Sequence, residues 1–136
     1  MIRTNVARAL LMIGLLLCLA ACAPSRALGL EQSLHAYHSA IRWGSMQEAL
    51  TLVDPAYLAK NPVNTMEWER YKQIRIVGYR PGDAISLADG TVEQRVEIEF
   101  ANLHTQATRT ILDRQVWRYD EPNKRWWLTT GLPRMN

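Results

Sequence analysis

Val92–Phe100, with the sequence VEQRVEIEF, is the most informative stretch of the chain. Apolar side chains recur at alternate positions with charged ones between them, and Gln94 is the one polar residue on the apolar side. Because successive side chains of a strand point to opposite faces, this stretch has one apolar and one charged face. Such a strand is typical of an antiparallel sheet that is buried on one side and solvated on the other.

Segments of similar character flank this strand. A period of two begins at Ile74, and turn residues follow at Pro81-Gly82-Asp83 and Asp89-Gly90. Residues 105–119 and Arg125–Thr130 have the composition of further strands. An antiparallel sheet of about four strands is therefore expected.

Opposite charges suggest how the two longest strands pair. If the chain turns near Leu103-His104, Glu99 lies opposite Arg109 and Arg95 lies opposite Asp113. This register places Arg109 on the charged, exposed face and gives Asp113 a cationic partner.

The first part of the chain has helical periodicity instead. Apolar residues recur at helical spacing from Leu30 to Ile41, and Gly44 lies where that helix should end. Ser45 and Glu48 form a capping-box pattern for a second, short helix. Beyond it we expect a helical turn at 55–58, a loop at 61–64 and an element of undetermined type at 65–71.

Length and composition limit the chain to one small domain. It has 136 residues, of which 48% are apolar and 21% charged, a net charge of +3 and two cysteines. This excludes a multidomain enzyme, and both cysteines lie within the first 22 residues, which excludes a disulfide framework. The sequence contains no glycine-rich phosphate loop, nucleophile elbow or Cys/His cluster, so phosphoryl transfer, serine hydrolysis and structural zinc have no support.

The N-terminus has the form of a targeting signal. Arg3 and Arg8 precede an apolar run over 9–19 that is too short to span a bilayer comfortably, and no acidic residue interrupts it. The run leads into Leu19-Ala20-Ala21-Cys22, which resembles the lipobox of bacterial lipoproteins. The resemblance implies cleavage directly before the cysteine and acylation of Cys22. An ordinary secretory signal with an incidental cysteine and a short anchor helix are the alternatives.

The lipobox resemblance divides the chain into a signal peptide (1–21), a lipidated tether (22–29) and a single domain (30–136). Several acyl chains on Cys22 would hold the protein on membrane lipid essentially permanently. In bacterial lipoproteins a residue other than aspartate after the lipidated cysteine favours sorting to the outer membrane, and here that residue is Ala23. The resemblance therefore implies the periplasmic face of a Gram-negative outer membrane. Loss of the signal lowers the net charge to +1, and the remaining charges are mixed in sign, so no nucleic-acid partner is expected.

Helices followed by a meander of long strands form an α+β layer arrangement. The helix Tyr37–Gly44 (YHSAIRWG) and the closing strand Trp126–Pro133 (WWLTTGLP) resemble the NTF2-like (cystatin-like, α+β cone) superfamily, specifically its small lipoprotein members. The resemblance implies N-terminal helices packed on a curved antiparallel sheet that encloses a cone-shaped cavity. Members use this fold as an active site, a ligand pocket or a homodimer surface, so the fold alone does not determine the function.

Glu31, His35 and His38 are the candidate metal ligands. They lie at positions i, i+4 and i+7 of the first predicted helix, so all three side chains can point one way and offer one oxygen and two nitrogens. Other residues define the buried stripe of this helix, so a solvated polar face is the simpler interpretation.

Asp113 is the candidate catalytic residue. It shares a strand face with Trp117 and Tyr119, and a carboxylate beside aromatic rings can have a raised pKa and act as a base. A charged pair with Arg95 explains Asp113 equally well. The carboxylates and tyrosine of isomerases in the NTF2-like superfamily have no residue-by-residue match in this chain, so no catalysis is expected. The carboxylates on which a small pocket enzyme would depend are Asp113, Glu97 and Glu99.

Trp117, Tyr119, Trp126 and Trp127 are the candidate binding residues. Trp126 and Trp127 are adjacent in a predicted strand and must point to opposite faces, so one of them can leave the core. Exposed aromatic residues carry a disproportionate share of binding energy. Core filling is the alternative.

The sequence therefore predicts a non-catalytic, membrane-anchored periplasmic lipoprotein without a cofactor or a metal. It is expected to bind an envelope protein or a small apolar ligand, and a homodimer is compatible with the fold. The alternatives are an accessory subunit of a secretion or envelope-assembly complex and a small enzyme that uses the cone.

Overall fold

The computed structural model of the chain describes residues 25–136. The predicted signal peptide, its cleavage site after Ala21 and the lipidation site Cys22 lie outside the described residues. Helices come first and strands follow, as predicted. The elements are α1 (Arg26–Trp43), α2 (Met46–Leu50), α3 (Pro55–Lys60), α4 (Thr65–Lys72), β1 (Ile74–Ser86), β2 (Val92–Asn102), β3 (Thr108–Asp120) and β4 (Arg125–Leu128).

Helix α1 begins at Arg26, four residues before the predicted start. Ser25 caps this helix, because its side chain accepts a hydrogen bond from the Leu28 N–H at 3.2 Å. The last four residues of the predicted 22–29 tether are therefore helical. The helix ends directly before Gly44, as predicted.

The short helices also begin at side-chain caps. The Ser45 hydroxyl accepts a hydrogen bond from the Glu48 N–H at 3.2 Å, where the sequence predicted a cap. Asn64 forms a full capping box with Glu67. This cap makes residues 65–72 a helix and settles the element that the sequence left open.

The four strands form one sheet in the order β1-β2-β3-β4, and every neighbouring pair is antiparallel. The α+β class and the antiparallel sheet of four strands are thus confirmed. Strand β1 runs through Pro81-Gly82-Asp83, where a turn was predicted. Its register with β2 shifts between Pro81 and Ala84, so these residues form an irregularity in an edge strand, where proline is tolerated. The chain turns at Asp89-Gly90, as predicted.

The predicted pairing of Arg95 with Asp113 is wrong. Arg114 lies opposite Arg95, and Val96 lies opposite Asp113. Because a shift of one residue moves a side chain to the other face, Asp113 faces the core. Glu93 pairs with both arginines instead, at 3.3 Å from Arg95 and 2.7 Å from Arg114.

The β2–β3 loop explains this shift. Four residues, 103–106, lie between Asn102 and Ala107, whose backbones are joined by a hydrogen bond from the Asn102 N–H to the Ala107 carbonyl at 2.9 Å. The Gln106 N–H donates to the Asn102 carbonyl at 2.9 Å. The predicted pairs, Glu99 with Arg109 and Arg95 with Asp113, would leave an odd number of residues in the loop. The Asn102 side-chain oxygen favours the shape found, because it accepts hydrogen bonds from the N–H groups of His104 and Thr105 at 2.8 and 3.0 Å.

The core lies between the helices and the inner face of the sheet, which is the face that α1 covers. The largest fully buried side chains include Trp117, Tyr37, Ile98 and Leu128. The rings of Tyr37 and Trp117 join α1 to β3 edge to face, with centroids 5.6 Å apart. No helix within residues 25–136 has the length and apolar character needed to cross a bilayer.

The chain after β4 packs back onto the core. In this C-terminal tail, residues 131–136, the side chains of Leu132, Pro133 and Met135 are buried. The Tyr71 hydroxyl of α4 donates a hydrogen bond to the Pro133 carbonyl at 2.9 Å. The tail is therefore part of the core.

Candidate functional site

Polar side chains cluster at the inner face of the sheet, and we call this group the inner cluster: Asp113, Gln115 and Tyr79 from the strands and Tyr37 from α1. Gln115 is 1% exposed, and its Nε2 donates to Asp113 Oδ2 and to the Tyr79 hydroxyl, each at 3.0 Å. The Tyr37 hydroxyl and Gln115 Oε1 are buried without a hydrogen-bond partner among the described residues. Such groups are costly, so a polar group bound beside the inner cluster would be stabilised there.

Burial controls the ionisation of the inner cluster. Burial raises the pKa of the Asp113 carboxyl, and the hydrogen bond from Gln115 opposes this rise. Burial raises the pKa of Tyr79 to about 12. Burial and, next, the charge of Asp113 raise the pKa of Tyr37 well above its usual value. Asp113 therefore holds a proton to a higher pH than an exposed aspartate, and both tyrosines stay neutral.

Asp113 also lines a groove of about 520 Å³. Thr130, Leu132 and Arg134 line the same groove, so the C-terminal tail forms one of its walls. A half-buried carboxylate with a raised pKa at the edge of a groove has the properties of a general base.

The other two candidate carboxylates face away from this groove. Glu97 forms an ion pair with Arg80 on the outer face, and Glu99 lies 3.8 Å from the same guanidinium group. Asp113 is thus the one carboxylate that β2 and β3 place on the inner face. These two strands supply no second acid that would form an acid–base pair with it.

Glu31, His35 and His38 do not converge on a metal site. Glu31 and His35 are exposed, whereas the His38 ring stacks on Tyr79 with centroids 4.3 Å apart. Burial lowers the pKa of His38, and the charge of His35 adds to this effect. In the part of the chain that the structure describes, no three His, Cys, Asp or Glu side chains are placed to hold a metal ion.

Three of the four candidate binding aromatics pack within the domain. Trp117 is fully buried, and Trp126 is 6% exposed. The Trp126 Nε1 donates to the Arg26 carbonyl at 3.0 Å. Tyr119 packs against Trp126 with centroids 5.2 Å apart, and the Arg26 guanidinium lies 4.3 Å from the Tyr119 ring. Trp126 and Tyr119 therefore fasten the start of α1 to β3 and β4.

Trp127 is the candidate aromatic that lies on the outer face. It is partly exposed, its Nε1 donates to Asp120 Oδ2 at 3.1 Å, and the Arg125 guanidinium lies 3.6 Å from its ring. The opposite orientations of Trp126 and Trp127 agree with the alternation of side chains along a strand. Of the four candidates, Tyr119 and Trp127 are partly exposed, and Trp127 is the one on the outer face.

A second groove, which we call the tail groove, lies at the end of the sheet that carries the β2–β3 loop. Its volume is about 390 Å³, and its lining includes Arg70 of α4, Phe100 of β2 and Arg109 of β3. Arg70 Nη1 donates to Asn136 Oδ1 at 3.0 Å, and Arg109 Nη1 donates to the Asn136 carbonyl at 3.2 Å. Two guanidinium groups therefore converge beside the last residue of the tail.

The sequence did not reveal the tail groove. The predicted register placed Arg109 on the outer face opposite Glu99, and this was wrong, because Arg109 lies opposite Phe100 on the inner face. Arg70 belongs to the element whose type was left open. The two arginines come together only through the tertiary fold, and no local pattern links them.

Searches against family models, curated proteins and solved structures return no match for this chain. The lipoprotein and NTF2-like resemblances therefore rest on the motifs quoted above.

Proposed function

We propose that this protein is a lipid-anchored lipoprotein of the outer membrane, facing the periplasm, whose single NTF2-like domain binds an envelope protein and carries out no catalysis. The anchor half of the proposal is supported by Arg3, Arg8 and the motif Leu19-Ala20-Ala21-Cys22. It is also consistent with the start of the fold, because the cap of α1 is Ser25, three residues after the cysteine.

The filled interior favours a protein partner over a small apolar ligand. Trp117, Tyr37, Ile98 and Leu128 occupy the space between α1 and the sheet. The grooves that border the core are open and carry polar side chains, including Asp113, in their walls. Ligand pockets are usually enclosed and mostly apolar, so recognition at the surface fits this domain better.

The tail groove is the observation that carries the binding half of the proposal. Arg70 and Arg109 converge there, and each donates one hydrogen bond to Asn136. A guanidinium group has five N–H donors, and those not directed at Asn136 suit a carboxylate on a peptide segment. We therefore propose that an acidic segment of the partner contacts the tail groove.

Site-specific photo-crosslinking in intact cells tests this proposal. A photo-reactive residue replaces Thr105, which lines the tail groove, or Asp89, which lies in the β1–β2 loop at the other end of the sheet. We expect one dominant envelope-protein adduct from position 105 and none from position 89. Equal adducts from both positions, or none from position 105, would contradict the proposed site.

Charge reversal provides the matched control. The double variant Arg70→Glu, Arg109→Glu should lose the adduct from position 105. The double variant Arg80→Glu, Arg95→Glu changes the same charge on the outer face and should retain it. A partner that belongs to a larger assembly would identify the protein as an accessory subunit of a secretion or envelope-assembly complex.

The environment of Asp113 favours a small enzyme as a second candidate function. Its half-buried carboxylate and raised pKa fit a general base at the edge of a groove. Complementation of a strain that lacks this protein distinguishes the two functions, because Asp113→Asn retains the shape of the side chain but cannot act as a base. If a folded Asp113→Asn protein complements the strain fully, catalysis by this residue is excluded. If it fails to complement the strain but still forms the adduct from position 105, catalysis is supported.

A further inference from the structure

We infer that the domain lies with one particular end against the bilayer surface, so that Leu28 of α1 and Leu87 after β1 contact lipid. We call this end the anchor end, and it comprises the start of α1, the β1–β2 loop (87–91) and the β3–β4 loop (121–124). The inference rests on the proposed lipidation of Cys22.

The length of chain between the lipid and the fold is the first argument. Cys22 precedes the helix cap Ser25 by three residues. Even fully extended, three residues span only about 10 Å. The start of α1 must therefore stay close to the headgroups of any bilayer that holds the acyl chains.

The start of α1 cannot swing away from the rest of the domain. Arg26 forms an ion pair with Glu121 at 3.0 Å, and its carbonyl accepts the hydrogen bond of the Trp126 indole. The Arg26 guanidinium also lies over the Tyr119 ring. A short tether on a helix fixed in this way limits the orientations that the whole domain can adopt.

The strand register places both hairpin loops at this same end. Val92 pairs with Ser86 on one side and with Trp117 on the other, and Trp117 pairs with Leu128. The β1–β2 and β3–β4 loops therefore leave the sheet in one direction, while the β2–β3 loop leaves it in the opposite one.

Exposed apolar side chains are present on the anchor end. Leu28 is 46% exposed and Leu87 is 37% exposed. Arg26 and Lys124 lie at the same end with mostly exposed side chains, and both pair with Glu121. Apolar side chains accompanied by long amphipathic cationic side chains are suited to the boundary between headgroups and acyl chains. The tail groove, at the opposite end, then faces away from the membrane.

Fluorophore accessibility on the lipidated protein tests this orientation. Acylation leaves the mature chain without a free thiol, so Leu28→Cys, Leu87→Cys and Leu103→Cys each provide one labelling site. Leu103 is the matched control, because it is 45% exposed in the β2–β3 loop at the far end. Each purified protein is labelled with an environment-sensitive fluorophore and reconstituted into vesicles of phosphatidylethanolamine and phosphatidylglycerol. The same three variants produced without residues 1–22, and so without Cys18 and Cys22, give the accessibility of each position in solution.

On reconstitution, we expect quenching by aqueous iodide to fall severalfold at positions 28 and 87, and nitroxide-labelled lipid to begin to quench the labels there. Both kinds of quenching should stay unchanged at position 103. If all three labels remain equally open to iodide on acylated, vesicle-bound protein, the orientation is wrong and the anchor proposal stands. If mass spectrometry finds no acyl group on Cys22 and the protein does not float with vesicles, the anchor proposal and the orientation both fail.

Discussion

At the residue scale, Trp126 and Trp127 are neighbours in β4 with different surroundings. Trp126 is 6% exposed and belongs to the core, whereas Trp127 lies on the outer face between Arg125 and Asp120. We expect Trp126→Ala to lower the free energy of unfolding by about 3–5 kcal/mol, because it leaves a cavity in the core. Trp127→Ala should cost about 1 kcal/mol.

Urea unfolding of the unlipidated domain measures both changes. Trp43→Ala is the matched control, because Trp43 is 75% exposed, and it should stay within about 0.5 kcal/mol of the wild type. Equal losses for Trp126→Ala and Trp127→Ala would place both rings in the core.

Asp113 should make stability depend on pH. Burial raises the pKa of Asp113 in the folded state, so the folded chain binds this proton more tightly than the unfolded chain. The stability that this proton contributes is fully present at a pH below the pKa of Asp113 in the unfolded chain. It is lost as the pH rises through the pKa of Asp113 in the folded chain. Asp113→Asn should therefore unfold at higher urea than the wild type at pH 7, and this gain should disappear below about pH 4. A gain that is the same at both pH values would refute this assignment.

The sequence placed Asp113 correctly beside Trp117 and Tyr119, because alternation along a strand is a local property. The sequence assigned Asp113 the wrong cross-strand partner, Arg95, because the partner depends on the register between β2 and β3. Gln115 was not singled out, although it carries the central hydrogen bonds of the inner cluster. A glutamine on the apolar face of a strand was the sequence signal that could have identified it.

At the scale of elements, two glycines with positive φ provide a comparison between backbone strain and packing. Gly90 has a φ of +84° and no atom within 4 Å of an added Cβ, whereas Gly131 has a φ of +79° and an added Cβ would lie 2.7 Å from the Tyr57 ring. We expect Gly90→Ala to cost about 1–2 kcal/mol from strain alone. Gly131→Ala should cost clearly more, because Tyr57 must also move.

Thermal unfolding of the two glycine variants side by side tests this difference. Combining Gly131→Ala with Tyr57→Ala should remove the contact term, so the double variant should lose less than the sum of the two single changes. Simple additivity would show that Tyr57 does not restrict position 131.

Strand β2 and helix α1 were predictable because each contains its own periodic pattern. The irregularity at Pro81-Gly82-Asp83 was not, because the same residues suit a turn and a bulged edge strand, and only pairing with β2 distinguishes them. The β2–β3 register depended on the number of residues in one loop, and cross-strand charges are too weak to determine it.

At the scale of the whole molecule, the anchor and the domain should be separable. The core of the domain is built from residues 37–135, and Cys22 lies outside the described residues. Cys22→Ala should therefore move the protein from the membrane to the soluble fraction without changing its urea midpoint. Fractionation of cells followed by unfolding of the soluble form measures both properties. Membrane attachment that survives the substitution would show that another segment holds the protein.

The tail groove could not have been predicted from the sequence. It brings together α4, the ends of β2 and β3, and the C-terminal tail, which are distant in the chain. Composition indicated one domain and the N-terminal motif suggested a location. The position of a surface site required the fold.

The hydrogen bond between the Trp126 indole and the Arg26 carbonyl joins residues 100 positions apart. Helix α1 is the first element of the described fold to leave the ribosome, yet part of its packing surface lies in β3 and β4, which emerge last. A nascent chain that has reached only β2 cannot bury Tyr37 against Trp117, and closing such long loops slows folding. The core should therefore be completed only after synthesis of β3 and β4, and the export that we propose for this chain would benefit from this delay.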